Sequence, residues 1–189
     1  MAGDKLRLFT AVRVPRAQLE WLDEATADLR SVPGARWTGT DNQHVTLNFL
    51  GWVHEDAFDD VTAAVDAVAS HHAPARLSIG DLGAFPRERR ARVLWAGIDD
   101  SGDLLPALAS ELGHELRSIG YVPEDRPYTA HLTLARFKTP RSLEGVLRPL
   151  PAPPEPFDVD RVTLFRSRLS PAGARYEVVH EAYLTGRSP

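Results

Sequence analysis

Two short runs carry the residues that could do chemistry: His44-Val45-Thr46-Leu47 and His131-Leu132-Thr133-Leu134. In an extended strand, residues i and i+2 project from one face. Each run therefore presents an imidazole beside a hydroxyl, while the residue between them and the leucine after them turn toward the core. Two such strands brought together offer two imidazoles and two hydroxyls. With an ordinary pKa of about 6.5, one imidazole can accept a proton while the other donates one. Two threonine hydroxyls can donate hydrogen bonds to two non-bridging oxygens of one phosphate. In-line displacement at a phosphodiester uses this set: a base for the attacking oxygen, an acid for the leaving oxygen, and donors for the charged equatorial oxygens. The set works without a metal.

Other readings of these residues are weaker. A single His-x-Thr-Leu run is commonly a structural strand histidine; a duplicated one is far rarer by chance. Zinc usually takes three or four ligands, and neither run has a further His or Glu at ligand spacing. His54, His71, His72, His114 and His180 fall outside any repeated pattern and read as surface or helix residues. A serine-type triad lacks its Gly-x-Ser-x-Gly turn, and the chain has no phosphate-binding glycine loop.

Composition narrows the class. The chain has 189 residues, 43% hydrophobic and 25% charged, an ordinary globular balance that suits one large domain or two lobes. It has no cysteine, which excludes disulfides, cysteine zinc sites, iron–sulfur clusters and thiol nucleophiles. No apolar run reaches the ~20 residues of a membrane span, and residues 1–5 do not open a signal peptide. A cytoplasmic protein with no membrane partner is expected. Lys+Arg is 22 against Asp+Glu 26, a net charge of −4. Wrapping a long nucleic acid calls for a basic surplus, so a nucleic-acid partner is expected to be gripped locally, at an end or a single phosphate.

The elements that must position the two runs are legible in outline. Residues 6–14 alternate as a strand; Leu19, Leu22, Ala25 and Leu29 follow Pro15 at helical spacing until Pro33-Gly34. Residues 37–43 form a polar lead-in to a strand over 44–51. Phe58, Val61, Val65 and Val68 mark a second helix, and residues 76–85 a third strand. The order then recurs: a strand at 92–98, a helix over 104–119 capped by Gly120, a polar lead-in at 123–130, a strand from His131, a short helix at 141–147, an extended Pro-rich connector at 150–156, and strands at 157–169 and 176–184 joined by a turn at 170–173. Phe9 to His44 spans 35 residues and Trp95 to His131 spans 36. The pattern predicts an α+β fold of two pseudo-symmetric lobes, each an antiparallel-rich sheet backed by helices. The internal repeat runs over about 5–86 and 91–169 with a closing strand at 176–184, and the active-site cleft lies between the lobes.

The duplicated run resembles the 2H phosphoesterase superfamily, and within it the RNA 2′,3′-cyclic phosphodiesterases of bacteria and archaea, once called 2′-5′ RNA ligases. The similar segments are Arg7 to Val12 with Pro15, His44 to Gly51 (HVTLNFLG), Gly83 to Pro86, Arg92 to Gly97, His131 to Arg136 (HLTLAR), Leu164 to Ser167 and Gly173 to Tyr176. They cover nearly the whole chain, so residues 1–189 read as one bilobal domain of this kind. The resemblance implies that His44 is the general acid for the leaving 3′ oxygen and His131 the general base for water. It implies that Thr46, Thr133 and Arg136 bind the phosphate, that Phe49 lines a base or ribose pocket, that no cofactor or metal takes part, and that the product is a 2′-phosphate. Strict alternation, however, puts Phe49 and Arg136, each five residues after its histidine, on the wrong strand face; a β-bulge, a strand end or a long side chain must bring them back. Phe49 as a core residue is the competing reading. Relatives often carry an aromatic residue and proline before the second histidine, where this chain has Tyr128-Thr129-Ala130.

The expected partners are RNA 3′ ends or small nucleotides with a 2′,3′-cyclic phosphate, met by a monomer. Two other functions stand beside hydrolysis: the same site run in reverse as a 2′-5′ ligation, and a non-catalytic module that only binds nucleotide or RNA ends. Intact histidines in both copies count against the last, because arginine, lysine or backbone N–H could hold phosphate alone. The arginines at 87, 89, 90 and 92 read as a solvated loop in preference to an RNA approach surface.

Overall fold

The computed structural model describes residues 4–122, 126–171 and 173–187. Residues 1–3, the 123–125 part of the lead-in to His131, Ala172 of the 170–173 turn, and 188–189 lie outside them. In chain order the elements are β1 (Lys5–Val12), α1 (Arg16–Ala25), β2 (Ala35–Trp37), β3 (Val45–His54), α2 (Phe58–His71), β4 (Ala75–Phe85), β5 (Ala91–Asp99), α3 (Leu104–Glu115), β6 (His131–Arg141), β7 (Phe157–Val159), β8 (Arg161–Ser170) and β9 (Gly173–Tyr183). The fold is α+β, built on one curled antiparallel sheet.

The strand order is β7-β4-β5-β6-β3-β1-β8-β9, with β2 paired to β6 off this path. The two motif strands, β6 and β3, therefore lie side by side at the centre, with three strands beyond each. They touch through the register pair Val45–Leu132, so the sheet is pinched where its halves meet. The spatial halves do not follow the chain. β4 follows the first motif strand in sequence but hydrogen-bonds to β5; β8 follows the second but hydrogen-bonds to β1. The crossing occurs at Asp160, where the extended stretch from 157 splits: β7 pairs with β4 and β8 with β1.

Apolar spacing makes the helices and decides their buried faces. Leu19 and Leu22 bury from α1, Val61, Val65 and Val68 from α2, and Leu105, Leu108 and Leu112 from α3. Asp59 and Asp60 sit in the first turn of α2, where the helix dipole favours negative charge. Gly120 ends the helical stretch after α3 at φ 84, a left-handed conformation that suits glycine. Helix α2 packs against β8 and β9, and α3 against β3 and α2. Glu111 of α3 clamps α2 by accepting from His71 Nδ1 at 2.6 Å and His72 Nε2 at 2.7 Å, and His180 Nε2 of β9 reaches Asp66 of α2 at 2.7 Å. These histidines are fasteners between elements. The main core joins the helices to one sheet face; a small second cluster of Phe9, Ala11 and Phe165, with Tyr176 against it, is separate from that core. Among the described residues no helix is long and apolar enough to cross a membrane.

Two local expectations are corrected. The 141–147 stretch forms no helix: β6 continues to Arg141, Leu143 plugs into the core with Leu147 packed against it, and a single turn closes with Leu147 N–H on the Leu143 carbonyl. Gly145 at φ 70 stops propagation. The lead-in at 37–43 contains the end of β2, a three-residue strand too short to alternate visibly.

Candidate active site

The β3–β6 register assembles the site. Val45 and Leu132 face each other and are both fully buried. His44, Thr46, His131 and Thr133, one residue to either side of that pair, lie on the face opposite Val45 and Leu132. Each motif strand thus presents one imidazole and one hydroxyl toward a shared face. The Tyr128 hydroxyl fixes one side by donating to the Thr46 carbonyl at 3.1 Å. Burial, with Asp100 adding to it, holds this phenol above its ordinary range, so it stays a donor.

A β-bulge in each motif strand resolves the facing problem of Phe49 and Arg136. Along β3, Ala11 pairs with Thr46 but the next residue back, Thr10, pairs with Asn48, leaving Leu47 as the extra residue. Along β6, Trp95 pairs with Thr133 but Leu94 pairs with Ala135, leaving Leu134 extra. The bulged residue is in both cases the leucine that ends the motif. Leu47–Asn48 and Leu134–Ala135 are consecutive buried pairs, as an inserted residue requires. The inside–outside alternation flips at that point, and Phe49 and Arg136 return to the histidine face. Phe49 is 42% exposed, so it is not a core residue. Its ring lies 5.3 Å from that of Phe9, and the Arg7 guanidinium is 5.8 Å from its centroid.

Each histidine leans on aromatic rings and on the carbonyl two residues before it. The His44 ring is 4.7 Å from Phe9, 5.8 Å from Phe165 and edge-on to Tyr176 at 5.1 Å. The His131 ring is edge-on to Phe85 at 5.0 Å and 6.1 Å from Trp95. His131 Nδ1 is 2.7 Å from the Thr129 carbonyl. A carbonyl only accepts, so Nδ1 carries the hydrogen and the neutral ring has a bare Nε2. His44 likewise donates to the backbone of Asn42. Burial pushes His44 down to about 4; the Asn42 hydrogen bond opposes this, and the charges of His131 and Arg136 add to the depression. Burial also lowers His131, opposed by the Thr129 hydrogen bond and reinforced by Arg136. Both imidazoles are thus neutral in the empty site at pH 7.

The sequence profile of the 2′-5′ RNA ligase superfamily matches residues 14–170, most of the chain. The chain belongs to this superfamily. It is 33% identical over 189 residues to the RNA 2′,3′-cyclic phosphodiesterase of Thermus thermophilus, covering 96% of this chain and 91% of that protein. A Thermus thermophilus crystal structure superposes with a TM-score of 0.83 at 30% identity, over 97% of this chain and 100% of that one. The Escherichia coli LigT structure complexed with 3′-AMP superposes with a TM-score of 0.81 at 25% identity, over 96% and 99%.

In this superfamily member, the parts of the site that sequence reasoning missed are the aromatic walls and the two carbonyl props. Phe9, Phe165, Tyr176, Phe85 and Trp95 stand in alternating strands as ordinary sheet residues would. Their proximity to the histidines depends on strand order, which the alternation pattern does not encode. One signal was available: Gly83 stands opposite Trp95, and a Cβ there would lie 2.3 Å from the indole, so the glycine leaves the ring its place. Among the described residues no group of three or more His, Cys, Asp or Glu side chains could hold a metal ion. Of the arginines at 87, 89, 90 and 92, Arg89 pairs with Glu144 and Arg92, in β5, donates to the Lys138 carbonyl.

Proposed function

We propose that this protein hydrolyses the 2′,3′-cyclic phosphate at RNA 3′ ends, or on small nucleotides, to a 2′-phosphate by a metal-independent two-histidine mechanism. His131 Nε2 removes a proton from water, and the water oxygen bonds to phosphorus opposite the 3′ oxygen. The P–O3′ bond breaks, and His44 delivers its proton to that oxygen, leaving a 2′-phosphomonoester and a 3′-hydroxyl. Thr46 and Thr133 donate to the non-bridging oxygens, Arg136 neutralises their charge, and Phe49 supports the ribose or base. The observation that carries the reading is the strand pair Val45–Leu132, which brings the two His-x-Thr strands side by side with both imidazoles and both hydroxyls on the face opposite that pair. The matched superfamily, the names of the curated relatives, and the 3′-AMP found with a related structure support the substrate class.

The proton needed for the leaving group is scarce in the empty site. A bound anionic phosphate favours the imidazolium form, so substrate itself helps to charge the acid. We also read residues 5–86 and 91–169 as duplicated units that exchange their third strands, β4 and β8; the bulge at the same motif position in both supports this.

The test is incubation with cytidine 2′,3′-cyclic phosphate in EDTA, with the product identified by phosphorus NMR. Formation of the 2′-phosphate is expected. A 3′-phosphate product, absence of turnover, or turnover restored only by one added metal would contradict the proposal.

A further inference from the structure

The β2–β6 register sets Arg36 directly opposite Arg136, flanked by Ala35–Phe137 and Trp37–Ala135. Phe137 and Ala135 are buried, and Ala35 and Trp37 pack against the same core. Arg36 and Arg136 therefore share the other face, which the bulge at Leu134 makes the histidine face. Like charges directly opposite in a sheet are destabilising. Acidic residues outnumber basic ones in this chain, and Arg16, Arg30, Arg89 and Arg148 each pair with a carboxylate. Among the described residues neither Arg36 nor Arg136 has such a partner. The Arg36 side chain also reaches the β8–β9 hairpin: its Nη2 ends 3.3 Å from where a Cβ on Gly173, the first residue of β9 after the turn, would stand. The nearby Asn42 Nδ2 donates to the Ala174 carbonyl at 3.3 Å, tying the lead-in to the same turn. One end of the histidine face, past Thr133, thus carries a pair of forked cations.

The geometry points to a second phosphate subsite: Arg36, beside Arg136, binds the phosphodiester that joins the terminal nucleotide of an RNA to the one before it. This rests on the phosphodiesterase reading above. The cyclic phosphate carries one negative charge and already meets Thr46, Thr133, Arg136 and an imidazolium. A second guanidinium exceeds what that monoanion requires, and the next phosphate along the strand supplies the matching charge. Arginine's planar fork suits two oxygens of one phosphate. The consequence is a preference for RNA ends over free cyclic mononucleotides.

The test compares kcat/KM for a cyclic mononucleotide, a dinucleotide ending in the same 2′,3′-cyclic phosphate, and that dinucleotide with a neutral methylphosphonate linkage. Wild-type protein should prefer the native dinucleotide and lose that preference with the neutral linkage. In R36Q the ratio of native dinucleotide to mononucleotide should fall about tenfold, the scale of one charge-assisted hydrogen bond. Inhibition by a longer, non-cyclic RNA should show a salt slope shallower by about 0.7 in R36Q, the loss of one phosphate contact on a single strand. A preference that survives the neutral linkage, or an R36Q ratio equal to wild type, overturns the subsite. Wild-type protein that turns over none of the three substrates refutes the underlying reading instead.

Discussion

Raising the pH should switch this site off earlier than an ordinary histidine pair would. His44 is held at about 4 by burial against Phe9, Phe165 and Tyr176, and His131 is lowered by the same cause. Charging His44 at pH 7 then costs about 4 kcal/mol in the empty site, at 1.36 kcal/mol per pH unit. The reactive form needs one proton on the pair, and both ionisations of the empty protein lie below the ordinary 6.5. The kcat/KM profile, which reports free enzyme and free substrate, should therefore be a bell centred on the acid side of 6.5, falling about tenfold per pH unit above it. The diester remains a monoanion throughout and adds no ionisation of its own. The kcat profile reports the complex, where the phosphate stabilises the imidazolium, so its alkaline limb should lie at higher pH. The two limbs belong to the coupled pair, not to one residue each. The assay is initial rates on cytidine 2′,3′-cyclic phosphate from about pH 4.5 to about pH 9 at constant ionic strength. A kcat/KM that is flat or rising from pH 6.5 upward would refute the depression of the two imidazoles.

Other outcomes follow from the same geometry. Tyr176→Ala removes the ring edge-on to His44 and admits water, so the His44 ring should titrate above 4 and toward 6.5 when followed by NMR; an unmoved titration would mean that the ring does not desolvate it. Thr46→Ala and Thr133→Ala should each cost about 1–3 kcal/mol in kcat/KM, the worth of a hydrogen bond to a charged oxygen, and unchanged kinetics would remove them from the site. Gly83→Ala drives a methyl into the Trp95 indole, so a thermal melt should show about 1–3 kcal/mol of lost stability.

The sequence made the candidate set legible because its signal is local: two residues apart in a strand means one face, and His44, Thr46, His131 and Thr133 all obey that rule. The three α-helices followed equally from spacing, as Val61, Val65 and Val68 show by burying, whereas the helix expected at 141–147 had no such stripe and did not form. What the sequence hid was long-range pairing. Nothing in residues 75–85 says that β4 hydrogen-bonds to β5 instead of joining β3, and nothing at Asp160 announces the crossing between halves. The facing of Phe49 and Arg136 was the one conflict visible in advance. It is settled by bulges at Leu47 and Leu134, residues that look like any strand leucine until their partners are known. Arg36 escaped notice for the same reason, since its meaning comes from standing opposite Arg136 across a three-residue strand.

The measurement that bears most directly on the central claim is turnover of a 2′,3′-cyclic nucleotide by His44→Ala, His131→Ala and the double variant, each verified as folded. If the two imidazoles pass protons at one phosphate, each single substitution lowers kcat by about 10²-fold or more. The double variant then falls by less than the product of the two, because the groups act as a unit. Full activity in either single variant would contradict the account.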